Sequence, residues 1–180
     1  MVFEGNKLRS DPGRYADLYL VPKRGKYSGK LYRRPGQVDI MTAEGVRALD
    51  ESISQLKRLK PVKPLIPSRG LTRAAKDHAV DQAETGSVGH IGKDGSSAEV
   101  RMNRYGKWEK MVAENISYGH DHIQEIVFQM VVDDGMSSRG HRRNLMQPAF
   151  RFIGLAMGPH PKYGYLCVIK FACEYRENQP

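Results

Sequence analysis

The chain has 180 residues, 39% of them hydrophobic, with a formal net charge of +9. That length supports a core without disulfide or metal staples. No run approaches the ~20 apolar residues of a membrane span. Met1 to Asn6 lack the charged start and apolar stretch of a signal peptide. The expectation is therefore an intracellular chain or one whose signal has been removed.

In chain order, the first predicted helix spans about residues 4–20. Leu8, Tyr15, Leu18 and Tyr19 fall mostly on one face, and Pro12 must bend or restart it. A Gly- and Arg-rich connection follows. Residues 22–35 hold Lys23, Arg24, Lys26, Lys30, Arg33 and Arg34 and no acid. Residues 1–69 carry a net +8, against +1 for residues 70–180. The basic run suits an anionic membrane or an acidic protein, with a solvated loop as the other reading. Nucleic acid is disfavoured, because no zinc finger, RNP-type aromatic strand or basic helix accompanies it.

Thr42 is the predicted N-cap of an amphipathic helix, with apolar residues at Val46, Leu49, Ile53, Leu56 and Leu59. Residues 61–67 read as an extended connector. Ser68 caps the next helix, which Gly86 ends, and His78 lies on its alanine-rich stripe as a core histidine. A loop with Gly89, Gly92 and Gly95 carries His90. Ser97 opens a short helix, and residues 111–119 read as a turn into a short strand. A helix over 122–135 closes at Gly135 as its C′ residue, and Ser138 caps a short helix through Met146. Strand-like runs at 150–158 and 163–175 finish the chain. Cys167 and Cys173 are six positions apart on the last, about 20 Å along a strand. They read as free, buried thiols. Helices first and between, with adjacent late strands, imply an α+β fold: helices on both faces of a small, mostly antiparallel sheet.

Chemistry concentrates in a few residues. His141 lies near the start of its short helix, beside Arg142 and Arg143. The helix N-terminus and both arginines disfavour the imidazolium, which suits a neutral, metal-binding or proton-accepting ring. Glu114 enters an apolar strand, where a carboxylate needs a partner. Asp133 and Asp134 sit at a helix C-terminus, against the helix dipole, so something else must favour them. His90, Glu114, Asp133, Asp134 and His141 together offer a metal site or an acid–base cluster. HExxH, CxxC, GxSxG and P-loop patterns are absent.

"AAKDHAVDQAETGSVGHIGKDGSS", "AENISYG", "SRGHRRNLMQPAFRFIGLAMG" and "YGYLCVIKFA", in that order, resemble the CAP superfamily. That group holds the cysteine-rich secretory proteins, insect venom antigens and plant pathogenesis-related proteins; the likeness is to bacterial-type, cysteine-poor members. It covers residues 68–175 well, and "NKLRSDPGRYA" resembles the family's first helix. The resemblance implies an α–β–α sandwich over residues 1–180 as one domain, with helices and the basic loop in 1–67 and the motif-bearing core in 68–175. It also implies a cleft tetrad. His90 and His141 match its histidines, and Glu114 matches the acid of the "EN" motif. The second acid is usually a Glu following an aromatic residue, and here Asp133 and Asp134 follow Met130, Val131 and Val132.

The resemblance further implies a divalent metal, often zinc, on His90 and His141, lipid or protein partners, and secretion. Members are commonly disulfide-bonded, whereas this chain lacks the disulfides. The expected function is a binding module in which the two acids support the histidines. The alternative is a hydrolase in which a metal-bound or acid-activated water attacks a peptide or ester bond, with Glu114 as general base. The residues favour binding over catalysis, since nothing in the sequence marks an oxyanion hole or a substrate pocket.

Overall fold

The N-terminal helix divides at its proline. The computed structural model, which describes residues 1–36 and 38–178, places α1 at Val2–Ser10 and α2 at Pro12–Tyr15. Pro12 needs no N–H at the first helical position, and the Asp11 carboxylate caps α2 by accepting the Arg14 N–H. The chain then widens into a π turn, Ala16–Leu20, and tightens into 3₁₀ turns, Val21–Lys26.

Three two-residue strands follow where the sequence predicts only a connection. β1 (Tyr27–Ser28), β2 (Leu31–Tyr32) and β3 (Ile40–Met41) form a small antiparallel sheet. Strands this short leave no readable alternation. α3 spans Val46–Arg58 on the expected apolar stripe, but Thr42 is not its cap. The cap residue is Gly45 at φ 69°, while Thr42 Oγ1 accepts the Gly45 N–H and donates to the Lys30 carbonyl. Within the predicted connector, β4 (Ile66–Pro67) pairs with a later strand in parallel.

α4 (Arg69–Thr85) has the predicted ends: Ser68 accepts the Leu71 N–H, and Gly86 closes the helix at φ 68°. α5 (Ala98–Asn103) is capped by Ser97. β5 runs over Gly106–Tyr118, longer than the predicted turn and strand. A register shift between Glu109 and Val112 interrupts it, with Lys110 at φ 71°. α6 (Ile123–Val132) ends three residues before Gly135, because Asp133 itself takes the left-handed conformation at φ 54°. Ser138 does not cap α7 (Gly140–Met146); Arg139 holds that position in the left-handed region, with no side-chain cap of its own.

β6 (Phe152–His160) and β7 (Gly164–Glu177) complete a sheet of order β4-β6-β7-β5, antiparallel except at β4. Alternation along β7 sorts the core. Cys167, Ile169, Phe171 and Cys173 join a cluster with α1, α3, α6 and α7 residues such as Leu8, Leu49, Val127 and Leu145. Leu166, Val168 and Ala172 face α4 and α5 through Leu71, Ala75 and Met102. The fold is the expected α–β–α sandwich. Both cysteines are buried and free.

α4 lies so close to β6 that a Cβ at Gly154 would sit 2.2 Å from the Leu71 carbonyl carbon and the Thr72 nitrogen. Backbone cannot step aside as a side chain can. Gly154→Ala is expected to lose about 3 kcal/mol or more in urea unfolding. At Gly158 the nearest atom is a Leu166 methyl at 3.9 Å, so Gly158→Ala is the control and stays close to wild type.

Candidate functional site

β5 is an edge strand of the larger sheet. Neighbouring residues on it point to opposite faces. Glu114 therefore reaches the α4 side and Asn115 the α6 side, and each engages one of the two predicted histidines. Glu114 Oε1 lies 2.8 Å from His90 Nδ1. Asn115 Nδ2 donates to the His141 carbonyl at 3.0 Å, while its Oδ1 accepts from Asn144 Nδ2. The "EN" pair thus straddles the sheet edge and ties both histidine segments to it.

Glu114 is buried, and its other oxygen meets two buried cations. Lys170, its cross-strand partner on β7, donates to Oε2, and Arg101 Nη2 lies 3.4 Å from the same atom. Burial by itself would raise the carboxyl pKa. The His90 hydrogen bond and the Lys170 charge outweigh it and hold Glu114 at about 2. Burial pulls Lys170 down to about 8, with Glu114 opposing. Arg101 also donates to the His90 carbonyl at 2.8 Å, so one arginine steadies both the acid and the loop that bears the histidine.

The other histidine is held in a matching way. The Asp133 carboxylate, buried at 3% exposure, accepts the His141 backbone N–H at 2.9 Å and sits 2.7 Å from its Nδ1. It serves the α7 N-terminus as a side-chain cap from outside the helix, which explains an acid after the α6 C-terminus. The left-handed turn at Asp133 aims a short carboxylate at both groups. Asp134 points elsewhere: its oxygens accept the Ala43 and Glu44 N–H groups, and Glu44 in return accepts from Gly135 N and Arg139. The positive surroundings inferred for His141 also need correction. Arg139 binds Glu44 and Glu51, and buried Arg142 donates to the Val131 and Val132 carbonyls at the end of α6. The partner that the ring meets is a carboxylate.

His90, Asp133 and His141 line one cavity of about 440 Å³. Tyr27, Tyr32 and Ile40 from the small sheet and Phe128 and Met130 from α6 give it apolar and aromatic walls, and Thr42, His120, Glu125, Gln129 and Asp134 add polar groups. A carboxylate on each Nδ1 makes that nitrogen the donor and leaves Nε2 as the acceptor. Among the described residues, no group of three or more His, Cys, Asp or Glu side chains is arranged to hold a metal ion.

Sequence reasoning missed the supports. Lys170 stands in a buried alternate position between Val168 and Ala172, which marks a charge needing a partner. Gly89, next to His90, is clamped at both ends: its N–H donates to Tyr118 Oη, and its carbonyl accepts from His78 Nε2 and Gln82 Nε2. Tyr118 Oη donates in turn to Gln82 Oε1. His78 is the buried core histidine expected. His120, also missed, lines the cavity, and burial lowers its pKa.

Residues 6–175 match the profile of the cysteine-rich secretory protein family, CAP. The chain belongs to the CAP family. Among solved structures, it is similar to an outer surface protein of Borrelia burgdorferi: 18% identical, TM-score 0.52, covering 62% of this chain and 78% of that one. It also matches an extracellular protein containing an SCP domain from Bacillus anthracis str. Ames, at 17% identity and TM-score 0.47, over 69% of this chain and 37% of that one. The Borrelia likeness is one of fold. A comparison with curated proteins gives no match. No described helix is long and apolar enough to cross a membrane.

The Glu114 cluster gives this CAP fold a pH-dependent term. A carboxylate whose folded pKa, about 2, lies below its ordinary 4.5 stabilises fully above the higher value and loses that stability as pH falls towards the lower. Glu114→Gln is expected to cost about 3–5 kcal/mol at neutral pH, because two buried cations lose their counter-charge. Its urea midpoint should also fall less than that of wild type between about pH 4.5 and 2. Equal midpoints at neutral pH would show that the cluster carries no net stability.

Proposed function

We propose that this chain is a CAP-domain binding protein whose cleft takes a divalent metal, zinc foremost, on Nε2 of His90 and His141, and which acts through a lipid or protein partner. One observation carries the metal reading. Each Nδ1 faces a buried carboxylate on a separate element, Glu114 or Asp133, and both rings line the same cavity. Carboxylate–histidine pairs of this kind fix the tautomer and raise the basicity of the free nitrogen. Two imidazoles leave the remaining coordination to water or a ligand, which makes such a site open and exchangeable. A bound metal would supply a Lewis-acidic point at which an anionic or carbonyl group could dock.

Binding is favoured over hydrolysis by the state of Glu114. A general base needs a proton affinity near the working pH and a path to the reacting group. Glu114 is held at about 2 and enclosed by Lys170, Arg101 and His90. An extracellular location is inferred from membership in a secretory protein family. The partner surface is inferred to be the basic run 22–35, matched to an anionic face.

Calorimetric titration with zinc near neutral pH is expected to give about one site per chain, weakened at about pH 5.5 because ligating imidazoles must lose protons. The His90→Ala, His141→Ala pair should abolish it. Unchanged binding in that double variant would overturn the metal reading.

A further inference from the structure

We propose that the outer face of the β1–β3 sheet is a docking surface for an anionic lipid bilayer. The inference rests on the anionic-partner reading of residues 22–35 and is independent of the metal. Cross-strand partners share a face of a sheet, and neighbours along a strand alternate. The register pairs Tyr27 with Tyr32 and Tyr32 with Ile40, and pairs Ser28 with Leu31 and Leu31 with Met41. The tyrosines and Ile40 line the cavity. Ser28, Leu31 and Met41 lie on the opposite, outer face.

The fold sorts the six cations of the run into two groups. Lys23 is drawn inward, donating to Glu125 and Tyr32 and lying 4.5 Å over the Phe128 ring. Arg24 forms a two-pronged pair with Asp50 at 2.7 and 3.1 Å. Arg34 turns back on the Val38 carbonyl, and Asp39 accepts its backbone N–H. Lys26, Lys30 and Arg33 are exposed, and among the described residues none meets a carboxylate. Lys26 and Arg33 flank the strands side by side, joined by the Arg33 N–H to the Lys26 carbonyl; Lys30 stands in the turn between β1 and β2.

Apolar side chains share this surface. Met41, on the outer face, is 72% exposed, and Val38, in the loop leading to β3, is 81% exposed. A soluble polyanion would gain nothing from them. A bilayer takes both features, cations at the phosphates and apolar tips at the acyl boundary. The inner face of the same small sheet roofs the cavity, so docking would bring the cleft to the membrane surface.

The test is co-sedimentation with phosphatidylcholine vesicles with and without phosphatidylserine, at low and high salt. Wild type is expected to bind only the phosphatidylserine vesicles and to be released by salt. Lys26→Gln, Lys30→Gln, Arg33→Gln should weaken partitioning on the order of 100-fold at low salt, at the usual value of a cation near an anionic surface. An equal charge change elsewhere, Arg58→Gln, Lys60→Gln, Lys63→Gln, should leave it within a few-fold. Val38→Ser, Met41→Ser should weaken vesicle binding without changing retention on a heparin column. All substituted side chains are exposed, so thermal unfolding should match wild type for each variant. The proposal fails if both triple variants lose binding equally, if salt has no effect, or if the Val38 and Met41 changes leave vesicle binding untouched, which would reassign the face to a soluble polyanion. His90→Ala, His141→Ala should bind vesicles as wild type does, so loss of the metal site and loss of docking are separate results.

Discussion

A carboxylate buried on an edge strand is the constraint around which the rest is arranged. Glu114 cannot be taken out of water without compensation. The compensation comes from three separate elements: Lys170 across the sheet, Arg101 on α5, and His90 on the loop after α4. Each of these is fixed in turn. Lys170 is locked by the β5–β7 register, Arg101 also bonds the Ser96 and His90 carbonyls, and the His90 loop is clamped at Gly89 by Tyr118, His78 and Gln82. Breaking the charge cluster would therefore loosen strand pairing and the histidine loop together.

On the other face of the sheet, Asp133 has a comparable role with a different geometry. It is a C-cap residue for α6 and a capping acceptor for α7 at once. Asp134, one residue on, captures the backbone at 43–44, and Glu44 answers through Gly135 and Arg139. This reciprocal pairing fastens the end of the small sheet beside α7. The two adjacent acids have unlike roles because a left-handed turn at Asp133 separates their directions.

The helices and the sheet were legible because their signals are local: spacing on α3, caps at Ser68 and Ser97, glycine at the end of α4. The misplaced caps at Thr42, Gly135 and Ser138 have two causes. Thr42 is drawn to the distant Lys30 carbonyl and leaves the cap position to Gly45, while the other two ends are set by the strained non-glycine residues Asp133 and Arg139; propensity sees neither. The small sheet was invisible because two-residue strands carry no period. Site residues were legible as motif letters, His90, Glu114 and His141, but their supports were not. Lys170 was the exception that could have been read, since a lysine at the buried phase of an apolar strand demands an opposite charge. Counting the charge of the basic run does not place it; three of its six cations are engaged by acids or by a backbone carbonyl within the fold, and three, among the described residues, are not.

The way these charges are satisfied also bears on what an ion in the cleft could do for the fold. In a zinc-dependent fold the ligands lack partners until the metal arrives, so metal binding and folding are one event. Here each acid is already engaged within the chain. Glu114 has two cations and a histidine, and Asp133 has an N–H and a histidine. The helix layers meet β7 through continuous apolar clusters, a few of whose members, such as Phe128 and Met130, also wall the cleft. An occupant at the Nε2 atoms would stabilise only by mass action, through its own affinity and concentration. The cleft's side chains therefore hold one another in place within the chain, and an occupant of the kind proposed would meet little ordering cost.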